Sequence, residues 1–259
     1  MIAPDRIDLG PFEAFLFDLD GVVTRTARIH AAAWKRLFDD YLARRASAGG
    51  TAFVPFDAVE DYRTYVDGKP RQAGAGSFLA ARGISLPAGS PDDGPEADTL
   101  NGLGNRKDLY FNEALAHHGV EVFEGAVRFI RQARARRVRT AIVSSSRNCA
   151  AVLDAAGLAR LFDVRVDGVD LRRLGLPGKP APDMFLEAAR RLDSSAARAA
   201  VFEDALVGVE AGRAGRFRLV VGIGRGDHAD ALRTHGADLV VGDLAELSLE
   251  GHARGRDAA

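Results

Sequence analysis

Short apolar segments alternate with helical ones over the second half of this chain, and one such segment stands near its start. The first, Ala14–Phe17, is apolar at every position, which is typical of a strand covered on both faces of a parallel sheet. The later segments are RTAIVSSS (139–146), VRVDGV (164–169), AAVFED (199–204), RLVVGIG (218–224) and DLVVGD (238–243). Helical patterns at residues 150–156, 182–192 and 207–214 separate them, so we predict βα units and a parallel sheet.

A helical region follows the first strand. Residues 26–45 (TARIHAAAWKRLFDDYLARR) place apolar side chains at four-residue steps, which predicts an amphipathic helix with Thr26 as its N-cap. From about residue 47 to residue 105, Gly and Pro breaks separate short helical patterns such as 71–82, without an alternating strand pattern. We therefore predict a helical domain over residues 29–118, inserted into an α/β domain formed by residues 1–28 and 119–259.

Two acidic residues stand at the predicted end of the first strand. Asp18 and Asp20 follow Ala14–Phe17 and are themselves followed by Gly21. Ligands bind at the carboxyl ends of the strands in open α/β sheets, so this pair indicates a chemical site. The simpler interpretation is an Asp/Gly turn. The helical insert begins directly after the pair and could cover it, which favours the first interpretation.

Polar residues also end or follow later strands. Ser144 ends the segment RTAIV and precedes a helix, where hydroxyl and backbone N–H groups can bind an anion such as phosphate, although a serine N-cap explains it equally well. Lys179 precedes another helix and could neutralise a phosphate, although isolated lysines are mostly solvated. Glu203 and Asp204 form a second acidic pair at a second strand end.

The four predicted strand-end carboxylates would repel one another, and each would tend to keep its proton. A divalent cation removes this conflict. Carboxylate oxygens beside a phosphate-binding segment favour Mg²⁺ over softer metals. The sequence therefore predicts a magnesium site.

Composition excludes several classes of partner. The chain has 35 basic and 36 acidic residues and a formal charge of −1, which gives no electrostatic reason to expect nucleic acid or an anionic membrane. We see neither a signal-like start nor an apolar stretch of membrane-spanning length, so we expect a cytoplasmic protein, a monomer or weak dimer. The single cysteine, Cys149, excludes an internal disulfide and a thiolate zinc cluster. A nucleophilic Cys149 is conceivable at a helix start, but a packing role is favoured because no histidine is assigned beside it.

Two glycine motifs resemble nucleotide-binding loops only in part. Gly222, Gly224 and Gly226 follow a predicted strand, but the third glycine comes one residue too early for a dinucleotide fingerprint, so a plain turn is favoured. The segment GLPGKP (175–180) has too short a glycine spacing for a P-loop, and proline replaces its hydroxyl residue.

Along the chain, Asp-x-Asp-Gly follows the first strand, a serine follows a later strand, a lysine precedes a helix, and Glu-Asp ends another strand. This order of motifs resembles that of the haloacid dehalogenase superfamily. Within it, four segments look like the β-phosphoglucomutase branch: FDLDGVVTRTARIHAAAWK (17–35), SSSRN (144–148), GKPAPDMF (178–185) and FEDALVGVEAG (202–212). The resemblance covers nearly the whole chain. It implies a doubly wound parallel-sheet, Rossmann-like core with a helical cap inserted after the first strand.

The resemblance also implies roles for the strand-end residues. Asp18 would be the nucleophile that forms an aspartyl-phosphate, and Asp20 the general acid and then base. Ser144 and Lys179 would hold the oxygens of the transferring phosphoryl group. The implied Mg²⁺ ligands are Asp18, the backbone carbonyl of Asp20 and Asp204, with Glu203 nearby.

Roles in the cap follow from the same resemblance. Thr26 and His30 match residues that tie cap closure to Asp20, although Arg25 stands where related mutases carry an acid. VDGKPRQAG (66–74) matches the segment that grips the phosphate not being transferred, with Arg71 as ligand and Gly68 as its close-approach turn. The remaining expected substrate-binding residues are Lys107, chosen over its neighbours Asn105 and Arg106, together with Ser146 and Asn148.

The implied activity is a Mg²⁺-dependent phosphosugar mutase. It would interconvert β-glucose 1-phosphate and glucose 6-phosphate through an aspartyl-phosphate and a glucose 1,6-bisphosphate. A phosphatase of the same superfamily that hydrolyses a small sugar phosphate is the alternative. A non-catalytic phosphosugar-binding module is a remote third, since it would have no need for the acids. In each case the expected partner is a small-molecule sugar phosphate.

Overall fold

The computed structural model describes residues 5–49 and 52–252, and it divides into two compact units. One unit, the α/β unit, contains the chain up to Arg25 and again from Glu121 onward. The other, the helical unit, is Thr26–Val120. The domain limits of 29 and 118 for the helical insert stay a prediction.

A six-stranded parallel sheet forms the centre of the α/β unit. Its strands lie in the order β4-β3-β2-β5-β6-β7. Their bounds are β2 Ala14–Phe17, β3 Arg139–Val143, β4 Val164–Val166, β5 Ala199–Glu203, β6 Leu219–Ile223 and β7 Leu239–Val241. The predicted α/β class is therefore confirmed. A separate parallel pair joins β1 (Asp5–Asp8) to β8 (Leu247–Glu250), and the sequence analysis missed it because both segments are short and half polar.

Helices follow the strands of this unit. They are α4 Glu124–Ala135, α5 Cys149–Ala155, α6 Gly168–Leu174, α7 Asp183–Arg191, α8 Leu206–Ala214 and α9 Asp227–Thr234, with 3₁₀ turns at Ala196–Arg198 and Leu244–Glu246. The segment VRVDGV is a strand only to Val166. Asp167 ends it because its carboxylate accepts hydrogen bonds from the N–H groups of Val169 and Asp170 and so caps α6.

Strand β2 lies in the middle of the sheet, and its four residues are buried. Phe15 and Phe17 contact Phe129 and Phe202. Leu16 belongs to a second cluster, which includes Met184 and Phe185 of α7. Apolar contacts on both faces explain why Ala14–Phe17 has no polar position.

The helical unit contains α1 Ala27–Ser47, a π-helical turn Tyr62–Val66, α2 Arg71–Ala81 and α3 Leu100–His118. Its core includes stacked and tilted rings, among them Phe38, Phe56 and Phe78. Helix α1 begins after Thr26 as predicted, but the expected cap is wrong. The backbone of Thr26 is already helical, and its side chain makes no capping hydrogen bond.

Among the residues that the structure describes, no helix combines the length and the apolar composition that crossing a bilayer requires.

Candidate active site

Three adjacent strands bring the predicted strand-end residues together. The register pairs Phe17 of β2 with Ile142 of β3 and Phe202 of β5. The N–H of Asp18 donates to the carbonyl of Phe202 at 2.9 Å, which continues the sheet pairing by one residue. Asp18 is 6% exposed and therefore stands in the rim of the sheet rather than on an open surface.

The turn after Asp18 is closed by its own side chain. The N–H of Asp20 donates to Asp18 Oδ2 at 2.9 Å. Gly21 has φ +94°, and a Cβ there would lie 1.7 Å from Asp204 Oδ2. Two constraints therefore require glycine at position 21: its positive φ, and the nearby carboxylate of Asp204, which leaves no room for a Cβ atom.

Lys179 connects two of the acids. Its ammonium group donates to Asp18 Oδ1 at 2.5 Å and to Glu203 Oε1. The side chains of Lys179 and Glu203 are fully buried. Sequence analysis assigned Lys179 to the phosphoryl oxygens, and the structure adds that it neutralises carboxylates.

Glu203 is enclosed by the start of α8. Its Oε2 accepts a hydrogen bond from the N–H of Ala205 at 2.9 Å. A Cβ on Gly208 would lie 1.9 Å from Glu203 Oε1, so the helix can approach the carboxylate only with glycine at that position. Glu203 is thus the interior partner of Lys179, whereas Asp204 is partly exposed.

The electrostatics of the site favour a cation. Burial raises the pKa of Asp18 well above its usual range; Lys179 opposes this effect, while Glu203 and Asp20 add to it. Burial would lower the pKa of Lys179, but the charges of Asp18 and Glu203 outweigh it and raise that pKa. Lys179 therefore balances part of the negative charge of Asp18 and Glu203.

The donor set fits a hard divalent cation. Asp18, Glu203 and Asp204 each offer a carboxylate oxygen, and these atoms all lie within 4.8 Å of one another. Oxygen donors at such spacing are typical of Mg²⁺ or Ca²⁺ sites. Burial is the main cause of the raised pKa of Asp18, and a cation there would offset the repulsion from Glu203 and Asp20 that adds to it.

The segment after β3 is ordered by serine hydroxyls. Ser144 Oγ lies 3.5 Å from Asp20 Oδ2 and accepts from the N–H of Ser146 at 3.1 Å. Ser146 Oγ accepts from the N–H of Asn148 at 3.2 Å. Six predicted residues therefore lie together: Asp18, Asp20, Ser144, Lys179, Glu203 and Asp204. Ser146 and Asn148 lie in the adjoining segment.

Cys149 has a packing role. It is buried at the first position of α5. Burial, together with the nearby Asp167 and Asp20, raises the pKa of its thiol well above the usual value. A reactive thiolate at this position is thereby disfavoured.

The sequence analysis missed two features of this site. One is Gly208, which makes room for Glu203. The other is His228, whose Nε2 lies 2.7 Å from the backbone carbonyl of Asp204. A histidine in the first turn of a helix carries no local signal for this contact, since the two residues are 24 positions apart.

The helical unit holds the remaining predicted residues. Lys107 is 4% exposed; its ammonium group contacts His30 Nδ1 and lies 4.9 Å from the ring centre of Phe111 and 5.4 Å from that of Trp34. His30 itself stacks on Phe111 at 4.1 Å.

Gly68 has φ +67° and precedes α2 by a short connection. Arg71 begins α2 and contacts Asn105 and Asp108 of α3. Arg25, the departure from the expected acid, belongs to the α/β unit and lies over the ring of Phe123 at 4.2 Å.

Comparisons with known proteins show the family and the fold of this chain. A family model described as haloacid dehalogenase-like hydrolase matches residues 12–216. The β-phosphoglucomutase of Mycobacterium bovis is 54% identical over 237 residues, which cover 90% of each chain. That of Bacillus subtilis is 32% identical over 239 residues, which cover 92% of each chain. A crystal structure of β-phosphoglucomutase from Clostridium difficile has a TM-score of 0.72 at 23% identity and covers 92% of this chain and 93% of that one; at this identity the likeness shows the fold alone.

Proposed function

The chain belongs to the haloacid dehalogenase-like hydrolase family, as its motifs indicated, and from this premise we propose that it is a Mg²⁺-dependent phosphosugar mutase. It is thus an enzyme of the isomerase or hydrolase type. The substrate pair we propose is β-glucose 1-phosphate and glucose 6-phosphate. The observation that carries the proposal is the 54% identity, over nine-tenths of both chains, to a protein named β-phosphoglucomutase.

The chemistry begins at Asp18. One of its carboxylate oxygens attacks the phosphorus of a bisphosphate, an O–P bond forms, and the bond to the sugar oxygen breaks. Asp20 gives its proton to the departing sugar oxygen. The glucose 6-phosphate formed in this way leaves; in the return step the 6-hydroxyl of a β-glucose 1-phosphate attacks the aspartyl-phosphate, the bond between phosphorus and Asp18 breaks, Asp20 takes the proton of that hydroxyl, and the bisphosphate is formed again. Atoms and charges therefore balance over the cycle.

Ser144 and Lys179 support this transfer. The hydroxyl of Ser144 and the ammonium group of Lys179 can donate to the oxygens of the phosphoryl group, where negative charge collects in the transition state. Lys179 also holds Asp18 in place at 2.5 Å. Asp18, the carbonyl of Asp20 and Asp204 would hold Mg²⁺, with Glu203 behind them. When bound, the ion supplies charge neutralisation between nucleophile and phosphoryl group.

The helical unit supplies the remaining proposed roles. Arg71, with Gly68 before it, binds the phosphate that is not being transferred. Ser146 and Asn148, which belong to the α/β unit, stay proposed substrate-binding residues. Lys107 contributes positive charge near His30. Thr26 and His30 link the state of this unit to Asp20. These assignments rest on the motif resemblance and on the chemistry of the side chains.

A phosphatase is the second candidate, favoured by the hydrolase family to which the chain belongs. It would use the same aspartyl-phosphate and transfer it to water. A non-catalytic binding module is disfavoured, since such a module has no use for the buried acids around Lys179.

One assay separates these candidates. The protein is given Mg²⁺ and β-glucose 1-phosphate, with and without a trace of β-glucose 1,6-bisphosphate, and ³¹P NMR follows glucose 6-phosphate and inorganic phosphate separately. We expect glucose 6-phosphate to form faster with the bisphosphate and to exceed released phosphate. Phosphate release that equals substrate loss would establish the phosphatase instead.

EDTA should stop turnover and excess Mg²⁺ restore it, and full activity in EDTA would contradict the metal proposal.

A further inference from the structure

We propose that Asn105 and Asp108 of α3 are positioning residues for Arg71, and that residues 88–99 fix Asn105 for this task. The proposal rests on the proposed function, in which Arg71 binds the phosphate not being transferred. It adds the part of the helical unit that determines where the guanidinium points. All of these residues lie within the helical unit.

The side chain of Arg71 is held at its stem and at both terminal nitrogens of its guanidinium group. Its Nη2 donates to Asn105 Oδ1 at 2.8 Å, and its Nη1 lies 3.0 Å from Asp108 Oδ1. Its stem packs on Gly104, where a Cβ would lie 3.3 Å from Arg71 Cγ. The side chain is 11% exposed. A long side chain that is fixed in this way loses little further freedom when it binds a ligand.

The amide of Asn105 can point in only one direction. Its Nδ2 donates to the carbonyl oxygens of Asp93 at 2.8 Å and Pro91 at 3.2 Å, which uses both amide hydrogens. Its Oδ1 must therefore face Arg71. A side chain with only acceptors or only apolar atoms cannot make both sets of contacts.

The segment that fixes Asn105 is itself braced. Asp93 Oδ2 accepts from Thr99 Oγ1 at 2.6 Å and from the N–H of Ser90 at 3.1 Å. Thr99 caps α3 by accepting from the N–H of Gly102. The carbonyl oxygens that bind Asn105 are thus tied to the start of the same helix.

The chain contains a matched control one turn earlier on α3. Asn101 Nδ2 donates to the carbonyl oxygens of Ala88 at 2.9 Å and Gly89 at 3.2 Å, in the same segment. Its Oδ1 accepts from Gln72 Nε2 rather than from an arginine. Asn101 therefore binds carbonyl oxygens of the same segment, residues 88–99, with its amide hydrogens, as Asn105 does. None of the hydrogen bonds described joins Asn101 to Arg71.

The experiment compares Asn105→Leu with Asn101→Leu. For each variant, two reactions are measured: turnover of β-glucose 1-phosphate as a function of β-glucose 1,6-bisphosphate, and phosphorylation of Asp18 by acetyl phosphate, which has no distal phosphate. Melting temperatures report how much stability is lost with the hydrogen bonds from each asparagine to residues 88–99. We expect both variants to lose similar thermal stability. We expect only Asn105→Leu to raise the KM for the bisphosphate, by about tenfold, since the lost contact involves a charged donor. The rate at which acetyl phosphate phosphorylates Asp18 should change far less in the same variant.

Variants at Arg71 and Asp108 make the outcome decisive. In an Arg71→Ala background, Asn105→Leu should cause no additional rise in KM, because the group that it positions is gone. Asp108→Asn keeps an acceptor for Arg71 and should raise the KM less than Asp108→Leu. Equal KM values for Asn105→Leu and Asn101→Leu, or additive effects with Arg71→Ala, would overturn the positioning role while the mutase proposal stands. If Arg71→Ala impairs both reactions equally, the phosphate-binding role of Arg71 falls, and this inference with it.

Discussion

The α/β unit and the helical unit organise their charged residues in opposite ways. In the α/β unit, Asp18, Ser144 and Glu203 end or follow three adjacent strands. The register of these strands places the three residues side by side at one edge of the sheet. In the helical unit, Arg71 and Lys107 project from helices and are each held by side chains of a neighbouring helix. The first site depends on backbone pairing, and the second on side-chain pairing. The strand-end site therefore concentrates carboxylates that repel one another around Lys179, whereas in the helical unit Arg71 meets the carboxylate of Asp108 and Lys107 meets the imidazole of His30.

The largest effect expected is on turnover when Asp18 changes. Asp18→Asn should lower kcat by roughly 10⁴-fold or more, because an amide cannot attack phosphorus. The fold should persist, since the substitution is isosteric and removes a carboxylate whose charged form is disfavoured by burial. Steady-state kinetics and a circular dichroism melt would check both parts. Wild-type turnover in this variant would remove Asp18 from the mechanism.

The two units should also differ in the stability cost of losing a lysine. Lys179→Met leaves Asp18 and Glu203 buried without their cation and should destabilise by about 3–5 kcal/mol. Lys35→Met, the comparison change in the helical unit, removes a half-exposed ion pair with Asp39 (2.8 Å) and a hydrogen bond to the carbonyl of Phe56 (2.9 Å), and should cost about 1–2 kcal/mol. Urea unfolding without Mg²⁺ measures both. Similar costs for the two variants would contradict the contrast drawn between the units.

A glycine pair tests how tightly each region is packed. Gly208→Ala forces a methyl group to within 1.9 Å of Glu203 Oε1 and should destabilise by roughly 1–3 kcal/mol. Gly94→Ala, in the helical unit, meets nothing within 4 Å and should change stability by less than about 0.5 kcal/mol. The comparison uses thermal melts of the two variants. A neutral Gly208→Ala would show that Glu203 can move freely.

The smallest effect expected is on the pH dependence of stability, and it concerns the ion pairs of Asp170 with Arg173 and Arg191 in the α/β unit. Hydrogen bonds from Arg191, and then from Arg173, lower the pKa of Asp170 to about 2. Because the folded-state pKa lies below the unfolded value, the contribution is present above about pH 4 and is lost as the pH falls toward 2. Solvent screening should keep it below about 1 kcal/mol. Asp170→Asn should flatten the fall in stability between pH 4 and 2, and an unchanged pH profile would contradict this assignment.

The sequence by itself determined the features that depend on short stretches of chain. Short, mostly apolar segments predicted the strands of the sheet, because a strand covered on both faces has few polar positions. Residues directly after those strands could be placed as well, since parallel strands share one carboxyl edge. The order of these three strand-end motifs, together with Lys179 before a helix, then indicated the family.

Only the tertiary structure decided which side chains meet. Lys179 contacts Asp18 from 161 positions away, and Lys107 contacts His30 from 77 positions away. The β1–β8 pair joins segments near opposite ends of the chain. Hydrophobic periodicity reports which positions are buried, but not the partner that a buried charge finds. That partner is fixed by how strands and helices from distant parts of the chain pack together, and so is the orientation of Arg71.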